Sequence, residues 1–150
     1  MTNSEFFDTI VPQKLELLTA KAQPKWGTMN VGEMLDHLRI GVVLSMENID
    51  DQITTPEEKL PAFKRFLMSD RPFAEGLSKP DAYNKVAALA GDLNSLKTNL
   101  LNELSRMNSF FIQNPDHTAV HPSFGNLNPE EWYQLHRKHF THHFTQFGLL

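Results

Sequence analysis

Histidine is the residue type whose numbers and spacing point to chemistry. Seven occur in the chain, and six of them lie at or beyond His117. At about 100° per residue, the stretch after Pro129 places Trp132, Leu135, His136, His139, His143, Gln146, Phe147 and Leu150 on one side. Glu130, Gln134, Arg137, Lys138, Thr141 and Thr145 fall on the other. His139 and His143 are therefore one turn apart on the inward side, where two ring nitrogens can reach a common point. Imidazoles withdrawn from water without partners must be held neutral at a cost in stability. A shared divalent metal removes that cost, and hydrogen bonding to the core is the competing explanation.

A third donor is His37, in Val31-Gly32-Glu33-Met34-Leu35-Asp36-His37-Leu38, on the flank of a segment whose inner side is set by Met34, Leu38, Gly41 and Val42. Gly41 leaves room beside it. Other pairings stay open: His136 with His139, or His139 with His142, are also spaced to chelate. His142 lies toward the edge of the stripe, as a group outside the ligand set, and His136 sits one turn earlier at a different depth. Three neutral imidazoles favour Zn(II), Ni(II), Cu(II) or Fe(II) over Mg(II) or Ca(II), which take oxygen ligands. They also leave coordination positions open, an arrangement suited to catalysis or substrate binding. His121, in His121-Pro122-Ser123-Phe124-Gly125-Asn126-Leu127, reads either as a pocket-lining base or as an ordinary loop residue. His117, among polar loop residues, is expected to be solvated.

Those side chains need a scaffold, and the nine prolines divide it, because proline lacks an N–H and disrupts helix interiors. Proline-free windows cover 25–55, 81–114 and 130–150. In the second of these, Val86, Leu89, Leu93, Leu96, Leu100, Leu104, Met107 and Phe111 recur at helical spacing and predict a plain core stripe. A first helix from Ser4 to Ala20, kinked near Pro12, takes its apolar side from Leu15, Leu17 and Leu18. Asn30 caps the next, with Glu33 completing a capping box, and that helix runs to about Glu47. The stretch from Asp50 to Pro80 holds Pro56, Pro61, Pro72 and Pro80 and reads as a long connection with one short helix around Glu57 to Met68. Asn128-Pro129-Glu130-Glu131 starts the last helix with a capping Asn, a proline at the first helical position and acids at the positive end of the dipole. Nothing in the pattern requires strands. The expectation is one all-α domain over residues 1–150, a four-helix bundle with a long crossover connection.

Composition narrows the function classes. The chain has 150 residues, 40% apolar and 21% charged, with a net charge of −4, which suits one soluble domain. A chain of this size buries about 68–70% of the surface its unfolded form exposes and needs no covalent staple. The absence of cysteine excludes disulfides, thiolate nucleophiles and iron–sulfur clusters, so any thiol must arrive with a partner molecule. With 14 basic residues scattered among 18 acidic ones, no nucleic-acid surface is expected. Apolar runs such as Gly41-Val42-Val43-Leu44 fall far short of the roughly 20 residues that cross a bilayer. The first residues lack a basic start followed by an apolar stretch, so the cytoplasm is the expected location.

Trp26-Gly27-x-Met29-Asn30-x-x-x-Met34-Leu35-x-His37, then His121-Pro122-x-Phe124-Gly125 and His139-x-x-His142-His143-x-x-Gln146-Phe147-Gly148, together resemble the DinB-like superfamily of metal-binding four-helix bundles, closest to one of its uncharacterised branches. The resemblance spans Trp26 to Gly148 and is thinnest between Asp50 and Pro80. It implies a three-histidine metal site at His37, His139 and His143, with His121, His142 and Gln146 around it. Thr141 departs from the acidic residue expected in this branch. Characterised members include transferases and isomerases that use low-molecular-weight thiols. The implied activity is a metal-dependent enzyme in which a small thiol co-substrate attacks or isomerises a small electrophile. A hydrolytic variant would use bound water, with His121 or His142 moving the proton. The alternatives are a metal-binding or ligand-sensing module without turnover, and a purely structural helical protein. The resemblance also implies a homodimer paired through helix faces, with no residue marking the face.

Overall fold

In the computed structural model, which describes residues 1–150, the elements follow the punctuation of the sequence with three departures. Helix α1 is a continuous run of Asn3–Glu5, a π-helical turn at Phe6–Ile10, and Val11–Leu17. The π turn directly precedes Pro12, whose nitrogen has no hydrogen to give the carbonyl one turn back, so the widened turn absorbs the expected break. Phe7, Val11, Leu15 and Leu18 recur at steps of three and four and are buried, whereas Leu17 is 66% exposed and does not join the apolar side.

Helix α2 covers Val31–Met46. Its capping box is closed as the sequence predicts: Asn30 Oδ1 accepts the Glu33 N–H at 2.8 Å, and Glu33 Oε1 accepts the Asn30 N–H at 3.0 Å. A 3-10 turn at Glu57–Lys59 leads into α3, Leu60–Leu67. Helix α4 spans Leu93–Gln113 and so begins later than the periodicity suggests. Gly91, with φ +155°, and Asp92, whose carboxylate accepts the Ser95 N–H at 2.8 Å, set that start. Val86 and Leu89 therefore lie in the connection. A buried Asp36–Arg39 pair on α2 holds that segment: Asp36 accepts the Leu89 N–H at 3.1 Å and Arg39 donates to the Ala87 carbonyl at 2.8 Å.

The all-α expectation is corrected by a small hairpin. Strands β1 (Ala119–His121) and β2 (Gly125–Leu127) pair antiparallel, with His121 opposite Gly125. Each strand is only three residues long, too short for alternation to show in the sequence. Gly125, at φ +84°, closes the turn. Helix α5, Pro129–Gln146, starts with the second capping box, Asn128 with Glu131.

The chain is thus mostly helical with a minor two-stranded sheet. One core of 25 buried residues draws on α1, α2, α3, α4, the hairpin and α5, and α2 packs against both α4 and α5. The long connection is tied to α5 by a residue expected to face solvent. Lys138 is buried, its ammonium donating to the carbonyls of Ser69 and Arg71, while Gln134 donates to the Leu67 carbonyl at 3.2 Å. Leu150 lies beyond α5 and is 45% exposed, so it is not part of the inward stripe. No helix is long and apolar enough to cross a membrane.

Candidate metal centre

Helix α2 supplies His37, and α5 supplies His139 and His143 one turn apart. The packing of α2 against α5 turns all three rings toward one point. Nε2 of His139 lies 2.9 Å from Nε2 of His37 and 3.1 Å from Nε2 of His143, and one ligand atom from each of the three falls within 4.8 Å of the others. An imidazole nitrogen offers either one hydrogen or one in-plane lone pair. Nε2 of His139 therefore serves only one of those two contacts as a hydrogen bond. Three inward lone pairs repel unless something positive stands among them. Metal–imidazole bonds of about 2.0–2.1 Å put neighbouring nitrogens about 3.0–3.4 Å apart, and the two spacings from His139, 2.9 and 3.1 Å, are close to the short end of that range. The three histidines could hold one metal ion.

The surroundings fix the tautomer of His143 and keep the three rings out of bulk water. Gln146 Oε1 lies 2.7 Å from Nδ1 of His143 and accepts its N–H, while the Gln146 amide donates to the Trp26 carbonyl at 2.9 Å. That leaves the lone pair of His143 on Nε2, facing the cluster. Tyr83 stacks on His37 with ring centroids at 4.7 Å, and Phe73 lies edge-on to His139 at 6.4 Å. Burial pushes His37 down to about 3, helped by the charges of His143 and Lys79. Burial likewise takes His143 to about 4 and His139 well below its ordinary value. All three are neutral at pH 7, the state a metal requires.

His142 stands beside the cluster, not in it. Its ring is 4.9 Å from that of His143 and 5.5 Å from Trp26, on the rim of an open cleft of about 620 Å³ that runs past Arg71, Phe73 and Lys138. His121 also stays outside the cluster. It packs 5.0 Å from Phe124 and 5.9 Å from Trp132, its Nδ1 accepts the Ser123 N–H at 3.0 Å, and burial lowers it to about 4. It borders a small cavity. His136 is fully buried, stacked on Trp132 at 5.6 Å, and pushed to about 3 by burial. His117 corrects the expectation of a solvated residue: Nε2 lies 2.9 Å from the Ser45 carbonyl and the ring meets Phe110 edge-on at 4.8 Å.

Tyr83 and Phe73 are the site residues that sequence reasoning missed. Phe73 lies in the proline-rich connection and Tyr83 in a 3-10 turn just past it, at Asp81–Lys85, where no periodicity marks an inward side chain, and only the return of the chain over α2 and α5 brings them to the cluster. A family model described as "Protein of unknown function (DUF1569)" matches residues 7–148. No curated protein and no solved structure matches the chain.

Proposed function

We propose that this chain, which belongs to the DUF1569 family, is a transition-metal protein whose ligands are His37, His139 and His143. One observation carries the reading: a single nitrogen, Nε2 of His139, makes two short contacts to other imidazole nitrogens, and hydrogen bonding accounts for only one of them. An all-nitrogen donor set selects Zn, Ni or Fe over Mg or Ca.

The finer reading follows the DinB-like resemblance: a three-histidine centre with open positions that takes a small-molecule substrate and a low-molecular-weight thiol, as a transferase or isomerase. When bound, the metal supplies Lewis acidity that lowers the pKa of a coordinated thiol or water. The chain does the rest. Gln146 keeps the His143 lone pair inward, Gly41 gives His139 room, and Tyr83 and Phe73 exclude bulk water. His37 is half-buried, whereas His139 and His143 are buried. The chain has no cysteine of its own to compete for the site. The cover that Tyr83 and Phe73 place over the cluster favours a second reading, a metal-binding module without turnover.

Elemental analysis of purified protein is expected to find about one transition metal per chain, retained by His117→Ala and lost by His143→Ala. No metal after reconstitution, or equal behaviour of the two variants, refutes the ligand assignment. Turnover of an electrophile by the metal-loaded protein across a panel of small thiols separates the enzyme from the silent module.

A further inference from the structure

Four buried polar atoms have no hydrogen-bond partner within the protein: Nε1 of Trp132, both ring nitrogens of His136, and Nδ1 of His139. Interiors seldom leave such groups unpaired, and where no side chain or backbone group serves, an ordered water usually does. A place for one adjoins Trp132. A chamber of about 10 Å³ is lined by Gly41, Tyr83, His121 and Trp132, among others. That volume matches about one water, and the lining offers the polar partners a water needs.

Gly41 makes the connection to the metal cluster. A Cβ there would stand 2.9 Å from the Tyr83 hydroxyl oxygen and 3.5 Å from Nδ1 of His139, so both polar atoms face the space that the missing side chain leaves. A histidine that ligates through Nε2 carries its proton on Nδ1 and ordinarily donates it to an acceptor that fixes the ring. His143 has Gln146 for this purpose, but His139 has nothing in the protein.

We infer that the space beside Gly41 is a built water site, and that its water accepts the Nδ1–H of His139 while bonding to the Tyr83 hydroxyl and the Trp132 N–H. The inference rests on the reading of His139 as an Nε2 ligand. The water orients His139 as Gln146 orients His143, and Gly41 is required because any side chain would displace it. Tyr83 and Gly41 are thereby positioning residues for the metal.

A high-resolution crystal structure of the zinc-loaded full chain is expected to show a solvent peak within about 3.2 Å of His139 Nδ1 and of Tyr83 Oη or Trp132 Nε1. A dry chamber overturns the inference. In solution, Gly41→Ala is expected to weaken zinc binding about 10- to 100-fold by chelator competition, the usual loss when an outer partner of a ligand is removed. Gly41→Ser, whose hydroxyl can accept the same N–H, is expected to recover most of it. Unchanged affinity in Gly41→Ala overturns the inference, as does an equal loss in both variants, which marks crowding against Tyr83. Should the protein take up no metal, the proposed function fails, and the solvent peak at Tyr83 and Trp132 in metal-free crystals still decides whether the chamber holds water.

Discussion

Lowering the pH from about 7 to about 5 is expected to remove most of the folding free energy of the metal-free protein. Burial is the first cause in each of five imidazoles held neutral: His37 and His136 at about 3, His121 and His143 at about 4, and His139 well below its ordinary value. In the unfolded chain each returns to about 6.5. Below that pH the unfolded chain binds protons that the folded one refuses, so stability is intact above about pH 6.5 and falls as the pH drops toward about 4. One proton is worth about 1.4 kcal/mol per pH unit, and five give roughly 7. Because each ring in the unfolded chain is only half protonated at pH 6.5, the loss between pH 6.5 and 5 comes to about 8 kcal/mol, against a total of about 5–15 kcal/mol for a domain of ordinary stability. Urea unfolding followed by tryptophan fluorescence, with a chelator present and the pH stepped through this interval, measures it directly. An acid midpoint near pH 5 and uptake of about five protons are expected. Equal stability at both ends of the interval, or uptake of one proton or fewer, refutes the picture of neutral, buried rings.

Gln146→Ala removes the acceptor for the His143 N–H and is expected to weaken zinc binding about 10- to 100-fold, read by chelator competition, with little change in the far-UV spectrum. His117→Ala, which strips the contacts to Ser45 and Phe110, is expected to cost about 2 kcal/mol in denaturant unfolding while zinc stoichiometry stays the same. Lys138→Met leaves the Ser69 and Arg71 carbonyls without their donor. Faster limited proteolysis of the connection near those residues is the expected result, with a stability loss of about 1–3 kcal/mol. Asp92→Ala uncaps α4, and a loss of about 1 kcal/mol in thermal or urea unfolding is expected.

Local chemistry made the ends of α2 and α5 legible. Asn30 with Glu33 and Asn128 with Glu131 close their boxes within a single turn, so no distant contact is needed to place them. The core stripe of α4 from Leu96 to Phe111 was legible for a related reason: helical spacing maps directly onto one face. The same spacing misled at Val86 and Leu89, because periodicity carries no information about where Gly91 and Asp92 interrupt the backbone. It misled at Lys138, whose charge reads as solvent-facing until the connection returns to cover it with carbonyls. The hairpin was invisible because its strands are too short to show alternation, and the contacts of His117 because they depend on Ser45, far away in the chain.

The order of types along the chain determined that His139 and His143 share a face, because one helical turn separates them whatever the rest of the protein does. It also marked His37 as a donor of the right kind. That His37 meets His139 at 2.9 Å was decided by the packing of α2 on α5, which only burial of the common core can set. Tyr83, Phe73 and the polar chamber beside Gly41 belong wholly to that tertiary level: they are placed by a connection without periodicity, and their roles arise from what it closes over.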